Sequence, residues 1–113
     1  MKRTNKHHFR DILTYAKFSL SFVDNMDYKS FVNDTKSVFA VIRTLEVIGE
    51  SSNRVSHEIK SKYPALPWHK MRGMRNRIVH NYDNIDYMII WNVIENEIPE
   101  LIKQIELIID EIE

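Results

Sequence analysis

The fold is decided by the C-terminal stretch DYMIIWNVIENEIPELIKQIELIIDEIE, residues 86–113. Its apolar side chains recur at alternating spacings of four and three residues, which places them on one face of a helix: Trp91, Ile94, Ile98, Leu101, Ile105, Ile108 and Ile112. The pattern predicts one amphipathic helix from Asp86 to the C-terminus. Pro99 is expected to kink this helix without ending it.

Two similar apolar stripes, each a row of side chains on one face of a predicted helix, precede this C-terminal helix. The first predicts a helix over residues 7–25 and consists of Phe9, Ile12, Leu13, Ala16, Leu20 and Val23. The second predicts a helix over residues 28–53 and consists of Phe31, Thr35, Val38, Ile42, Leu45 and Gly49. A glycine on an apolar stripe indicates that another backbone approaches closely, so we expect such a contact at Gly49.

The pattern weakens between Ser51 and Pro67, where a short helix is predicted over Ser56–Lys62. Pro67 suits the first turn of a third long helix, because its missing N–H would have no partner there. No strand pattern occurs. We therefore predict an all-α protein with a single domain over residues 1–113, built as an antiparallel four-helix up-and-down bundle with a short extra helix between helices two and three.

The composition excludes several kinds of site and partner. The chain has no cysteine, which excludes disulfides and thiolate chemistry. Its N-terminus is polar and no apolar run approaches the length of a membrane span, so we expect a cytoplasmic protein without a membrane partner.

The charge is segregated although the formal net charge is zero. Residues 59–82 hold six Lys and Arg, two histidines and no acid, whereas nine acids and one base follow from Asp83 onward. Such a basic segment is suited to bind a phosphate backbone, and Lys70, Arg72 and Arg77 are predicted RNA-binding residues. A solvated helix face paired with the acidic C-terminal helix explains the charges equally well.

The stripe of the third helix contains two polar residues in positions that should face the core or an interface: Trp68, Met71, Arg75, Ile78 and Tyr82. A guanidinium in such a position needs a phosphate, a second chain, or a carboxylate such as Glu46 or Glu50.

Helical geometry separates the polar residues of this segment. Arg75 and Tyr82 lie within about 20° on the helix, whereas His80 lies about 140° away from Arg75. We therefore expect the helix to end near Val79, with a second copy of the chain completing the cluster.

His80 is the only strong acid–base candidate, because its ordinary pKa lies near neutrality. An Arg, a Tyr and a basic surface around it fit RNA cleavage, in which the ribose 2′-hydroxyl is the nucleophile. No metal ligand set and no glycine-rich phosphate loop occurs, so neither a metal nor a cofactor is expected.

Residues 75–82, RNRIVHNY, resemble the R-x4-H-x-Y motif of the HepT family within the HEPN superfamily. Three other segments are similar to the family in order and spacing: residues 40–50, 66–68 and 73–76. The resemblance extends from Phe9 to Leu101.

The resemblance implies a homodimeric, metal-independent endoribonuclease toxin paired with a MntA-type nucleotidyltransferase antitoxin. Arg75 would hold the scissile phosphate, Asn76 would assist, and His80 would act as general base or acid. Tyr82 would be the site of AMP addition, which places a bulky anion where RNA should bind. Two alternatives remain, a non-catalytic binding subunit for a nucleotidyltransferase and a structural dimer that binds no nucleic acid.

Overall fold

The computed structural model describes residues 4–81 and 84–112, without the side chains of His80 and Asn81. The described elements, in chain order, are α1 (Asn5–Phe22), α2 (Tyr28–Val32), α3 (Thr35–Arg54), α4 (His57–Lys62), α5 (Trp68–Arg72), α6 (Met74–Ile78), β1 (Val79–Asn81), β2 (Asn84–Ile85), α7 (Tyr87–Asn92), a π-helical turn (Val93–Glu97) and α8 (Ile98–Ile112). None of the helices in these ranges is long and apolar enough to cross a membrane.

The second predicted helix is broken. Residues 28–53 were expected to form one helix, but α2 ends at Val32 and α3 begins at Thr35. Asp34 lies between them in an extended conformation and accepts a hydrogen bond from the Ser37 N–H, which caps α3. The break leaves Thr35 exposed, so it does not belong to the buried stripe.

The third predicted helix is also interrupted. α5 ends at Arg72 and α6 begins at Met74, with Gly73 between them. Pro67 precedes α5 as its cap residue, where its carbonyl accepts the Met71 N–H at 2.9 Å. The short helix predicted over Ser56–Lys62 is confirmed as α4, which Ser56 caps.

The C-terminal helix changes its hydrogen-bond pattern just before Pro99. The Ile98 N–H donates to the carbonyl of Val93, five residues back, and so closes the π-helical turn. Because Pro99 has no N–H, a regular ladder cannot continue through it, and the wider turn accommodates the gap. The helix continues to Ile112, as predicted.

The core lies where α1 packs against α3 and α8. The largest fully buried side chains include Phe9, Phe31, Leu45, Ile98 and Ile105. The predicted apolar stripes thus supply most of the core, and the all-α class is confirmed. The arrangement as four antiparallel rods stays a prediction.

Two short strands, which the sequence did not indicate, form a small hairpin. β1 pairs antiparallel with β2, with Val79 opposite Ile85. The Asp86 N–H donates to the Ile78 carbonyl at 2.8 Å and closes the base of this hairpin. The hairpin joins α6 to α7 and contains the His80 backbone.

Candidate active site

Helix α6 is five residues long and contains two of the predicted site residues. Met74 and Ile78 are buried, at 2% and 0% exposure, and fix this helix against the core. Arg75 and Asn76, the predicted phosphate-binding and supporting residues, are exposed on its other side. The short helix therefore exposes both side chains to solvent while its buried side packs against the core.

The sequence predicted that Arg75 faces the core or an interface; the core is wrong, and the interface stays a prediction. Its side chain is 59% exposed, and Met74 occupies the neighbouring core position instead. The buried residues Met71, Met74 and Ile78 keep spacings of three and four through Gly73, so the apolar stripe continues through Met74 and not through Arg75.

Among the described residues, Glu46 is the carboxylate at ion-pair distance from Arg75, and this contact is weak. Its Nε lies 3.9 Å from Oε2 of Glu46, at the limit of an ion pair. An exposed pair at this distance contributes little. Within the described residues, this contact therefore leaves the guanidinium accessible to an anionic ligand.

The predicted helix end is confirmed. α6 ends at Ile78, and Val79 is extended with φ −127° and ψ 105°. The backbone of His80 lies in β1, directly after the helix, and the hydrogen bond from Asp86 to Ile78 holds the base of the hairpin. The His80 side chain and the whole of Tyr82 lie outside the described residues.

Arg77 makes a close ion pair with two hydrogen bonds. Its two terminal nitrogens donate to the two carboxylate oxygens of Glu97 at 3.1 and 2.8 Å. These hydrogen bonds hold the pKa of the Glu97 carboxyl below its ordinary value and raise the pKa of the Arg77 guanidinium. The pair ties α6 to the π-helical turn, so this guanidinium is less available to RNA than an unpaired one.

The basic residues of α5 lie at two different cavities. Lys70 borders a cavity of about 250 Å³ near Glu97 and Glu100. Arg72 borders a cavity of about 220 Å³ that also contains Arg75. Among the cavities that the described residues line, Arg72 shares one with the predicted phosphate-binding Arg75, and Lys70 lies at another.

The cavity beside Arg75 lies between α3 and the helices α5 and α6. Its wall is polar: Glu46, Gly49, Glu50, Asn53, Arg72, Arg75 and Asn76. Gly49 lies at its closest point, where a Cβ would be 2.9 Å from the Met71 carbonyl oxygen. The close backbone contact predicted at Gly49 is confirmed.

Asn53 and Glu97 were not predicted as parts of this region. Glu97 is 20 residues from Arg77 in the sequence and belongs to another helix, so no local spacing indicates the pair. Asn53 follows Glu46 and Glu50 at helical spacing, and this polar stripe on α3 was a signal that could have found it.

Comparison with known proteins identifies the family. The family model described as ribonuclease HepT-like matches residues 12–108. A Methanocaldococcus jannaschii protein named as a candidate RNase is 40% identical over 112 residues, which cover 99% of this chain and 97% of the relative. A Thermococcus cleftensis protein named as a candidate ribonuclease HepT is 35% identical, over 89% of this chain and 92% of the relative.

A further relative comes from Caldanaerobacter subterraneus subsp. tengcongensis, is also named as a candidate RNase, and is 35% identical over 95% of this chain and 96% of its own length. No solved structure matches the chain. The family match covers most of the chain, including α3, the cavity and the segment from Arg75 to Tyr82. The chain therefore belongs to the HepT-like ribonuclease family of RNA-cleaving enzymes.

Proposed function

We propose that this protein is a metal-independent endoribonuclease toxin. The ribose 2′-oxygen attacks the adjacent phosphorus, a 2′,3′-cyclic phosphate forms, and the bond to the 5′-oxygen of the next nucleotide breaks. His80 takes the proton of the 2′-hydroxyl or gives one to the leaving 5′-oxygen. Arg75 neutralises the charge that develops on the phosphate, and Asn76 donates a hydrogen bond to it.

The observation that carries this proposal is the end of α6 at Ile78, between Arg75 and His80. A continuous helix would turn His80 about 140° away from Arg75. The extended backbone from Val79 onward removes this constraint, so both side chains can serve one phosphate. The exposure of Arg75 and its weak contact with Glu46 support the same role, because they leave its guanidinium accessible.

The proposed RNA contacts outside the reacting phosphate follow from the two cavities. Arg72 shares the cavity of Arg75, so it is the first candidate for a neighbouring nucleotide. Lys70 lies on another side of α5, and Arg77 is held by Glu97. We expect these two to contribute less to RNA affinity than Arg72 does.

The test is cleavage of an end-labelled RNA in the presence of excess EDTA. Wild type should cleave, and the variants H80A and R75A should each lose about 100-fold or more in kcat/KM. The control is K17A, which removes an exposed cation of α1 whose partner is Glu106. Activity that requires an added divalent ion, or that persists in H80A, would contradict the proposal. Intact RNA with wild type would instead favour a non-catalytic subunit.

We further propose that the active form is a homodimer in the cytoplasm. The pair of inactive variants R75A and H80A provides the test, together with light scattering of wild type. If each site takes residues from both chains, mixing the two variants should restore part of the activity, because some sites then contain both side chains. Monomeric wild type, or mixtures that stay inactive, would contradict a site shared between chains.

A MntA-type nucleotidyltransferase antitoxin is the proposed partner, and Tyr82 its proposed target. AMP addition there would add a negative charge and a bulky group where the RNA phosphate is proposed to bind, and would compete with it. Incubation with the nucleotidyltransferase and ATP should increase the intact mass by adenylyl groups and stop cleavage. The variant Y82F should gain no mass; modification of Y82F would show that another residue is the target.

A further inference from the structure

The cavity beside Arg75 is lined by two carboxylates as well as two guanidinium groups, so its lining has no net formal charge. Glu46 and Glu50 both line it, and each lies 3.9 Å from an arginine, Arg75 and Arg43 respectively. A second phosphate placed among these carboxylates would be repelled. The cavity is therefore suited to a neutral group that offers N–H donors to the carboxylates.

The wall of the cavity combines hydrogen-bond acceptors and donors. Glu46 is the less exposed of its two carboxylates, at 30% against 54% for Glu50. On the opposite side, Arg72 provides the donors of a guanidinium. A planar ligand between α3 and α5 would thus meet acceptors on one edge and donors on the other.

A nucleobase has this arrangement of groups, and guanine has it most completely. Its N1–H and N2 amino group are adjacent donors, which match the two oxygens of one carboxylate, and its O6 and N7 are adjacent acceptors, which match a guanidinium. Adenine and cytosine present a ring-nitrogen acceptor beside their amino group, and this acceptor would face a carboxylate oxygen. Uracil offers one N–H between two carbonyl oxygens.

We propose that this cavity binds a guanine base of the RNA adjacent to the scissile phosphate. Glu46 accepts hydrogen bonds from N1–H and the N2 amino group, and Arg72 donates to O6 and N7. Arg75, at the edge of the same cavity, remains directed at the phosphate. Glu46 is then a specificity residue, and this inference rests on the proposed ribonuclease function.

The first test is the cleavage pattern of an RNA pool randomised around the cut site. Wild type should prefer guanine on one side of the cut by about fivefold or more over the other bases, since a good bidentate contact discriminates by at least about this factor. In E46Q the amide presents a donor to the guanine N–H groups, so the ratio of cleavage at guanine to cleavage at the other bases should fall to about twofold. The control E106Q, at an exposed carboxylate of α8, should keep the preference of wild type.

Two cleavage results would overturn the inference. One is equal cleavage of wild type at all four bases. The other is a loss of activity in E46Q that is the same for every base, which would mean that Glu46 only orients Arg75.

A binding experiment separates this inference from the proposed function. Dinucleotides with a 2′-O-methyl group cannot be cleaved by 2′-hydroxyl attack, and their affinities can be measured by titration whether or not the enzyme is active. Wild type should bind the guanine dinucleotide about tenfold more tightly than the adenine one, and E46Q should lose this difference. Equal affinity for all bases would refute the guanine site even if RNA is cleaved; selective binding without cleavage would refute only the catalytic proposal.

Discussion

Replacing Gly49 by alanine should destabilise the protein, although alanine is the better helix former. The intrinsic gain of alanine over glycine inside a helix such as α3 is about 1 kcal/mol. The added Cβ, however, would lie 2.9 Å from the backbone oxygen of Met71 and 3.7 Å from that of Arg72. Overpacking costs about 1–3 kcal/mol, and the upper half of this range applies because a backbone oxygen cannot rotate away.

The expected net loss for G49A is about 1–2 kcal/mol in the free energy of unfolding, because the gain in helix propensity offsets part of the overpacking cost. For a domain of this size, the loss corresponds to a decrease in Tm of about 5–15 °C. Thermal and urea unfolding followed by circular dichroism measure both values. The shift of α3 away from α5 should also widen the cavity that contains Arg75 and lower kcat/KM.

The matched control is G73A, at the only other glycine in the sequence. Gly73 has φ −88° and ψ 8°, which an alanine can adopt, and its added Cβ would lie 3.5 Å from the His69 carbonyl oxygen, an ordinary contact. G73A should therefore be as stable as wild type or gain up to about 1 kcal/mol. If G49A were as stable as G73A, the close approach of α3 and α5 would not limit the side chain at this position.

Three further predictions concern the residues around α6. Glu97→Gln should lower the free energy of unfolding at pH 7 by about 1–2 kcal/mol, since it breaks the charged hydrogen bonds from Arg77. Those hydrogen bonds lower the pKa of Glu97 in the folded protein. The difference in the free energy of unfolding between E97Q and wild type should therefore be complete above the ordinary pKa of 4.5 and disappear as the pH falls through the lowered pKa. Thermal unfolding between pH 7 and pH 3 can measure this difference. Asp86→Ala should cost about 1 kcal/mol in the same assay, because it removes the cap on the Ile89 N–H. Arg75→Ala should leave the free energy of unfolding within about 0.5 kcal/mol of wild type, since the side chain is exposed, while RNA cleavage is lost.

The spacing of the apolar residues predicted most of the core, because the buried positions of a helix recur at a fixed repeat. The stripe of α8 and the close contact at Gly49 both follow from this repeat alone. The same repeat allows either Met74 or Arg75 after Met71, because both lie within about 60° of Met71 on a helix, and the structure buries Met74.

Tertiary pairing explains why Glu97 could not be predicted. An ion pair between Arg77 and Glu97 depends on how α6 and the π-helical turn lie relative to each other, and neither the spacing nor the composition of the sequence specifies that orientation. The hairpin was missed for a similar reason. Strands of three and two residues are too short to show the alternation from which a strand is recognised.

The end of α6, rather than the helix itself, creates the conditions for chemistry. A third helix that continued through His80 would turn His80 about 140° away from Arg75. The end of α6 at Ile78 instead releases the backbone of His80, while Arg75 is exposed on this helix of five residues. Such a short helix gains little stability from its own hydrogen bonds, so it depends on external contacts. Its buried residues and the pair between Arg77 and Glu97 provide them, which is why we expect changes at Glu97 to affect the precision of the site as well as the stability of the fold.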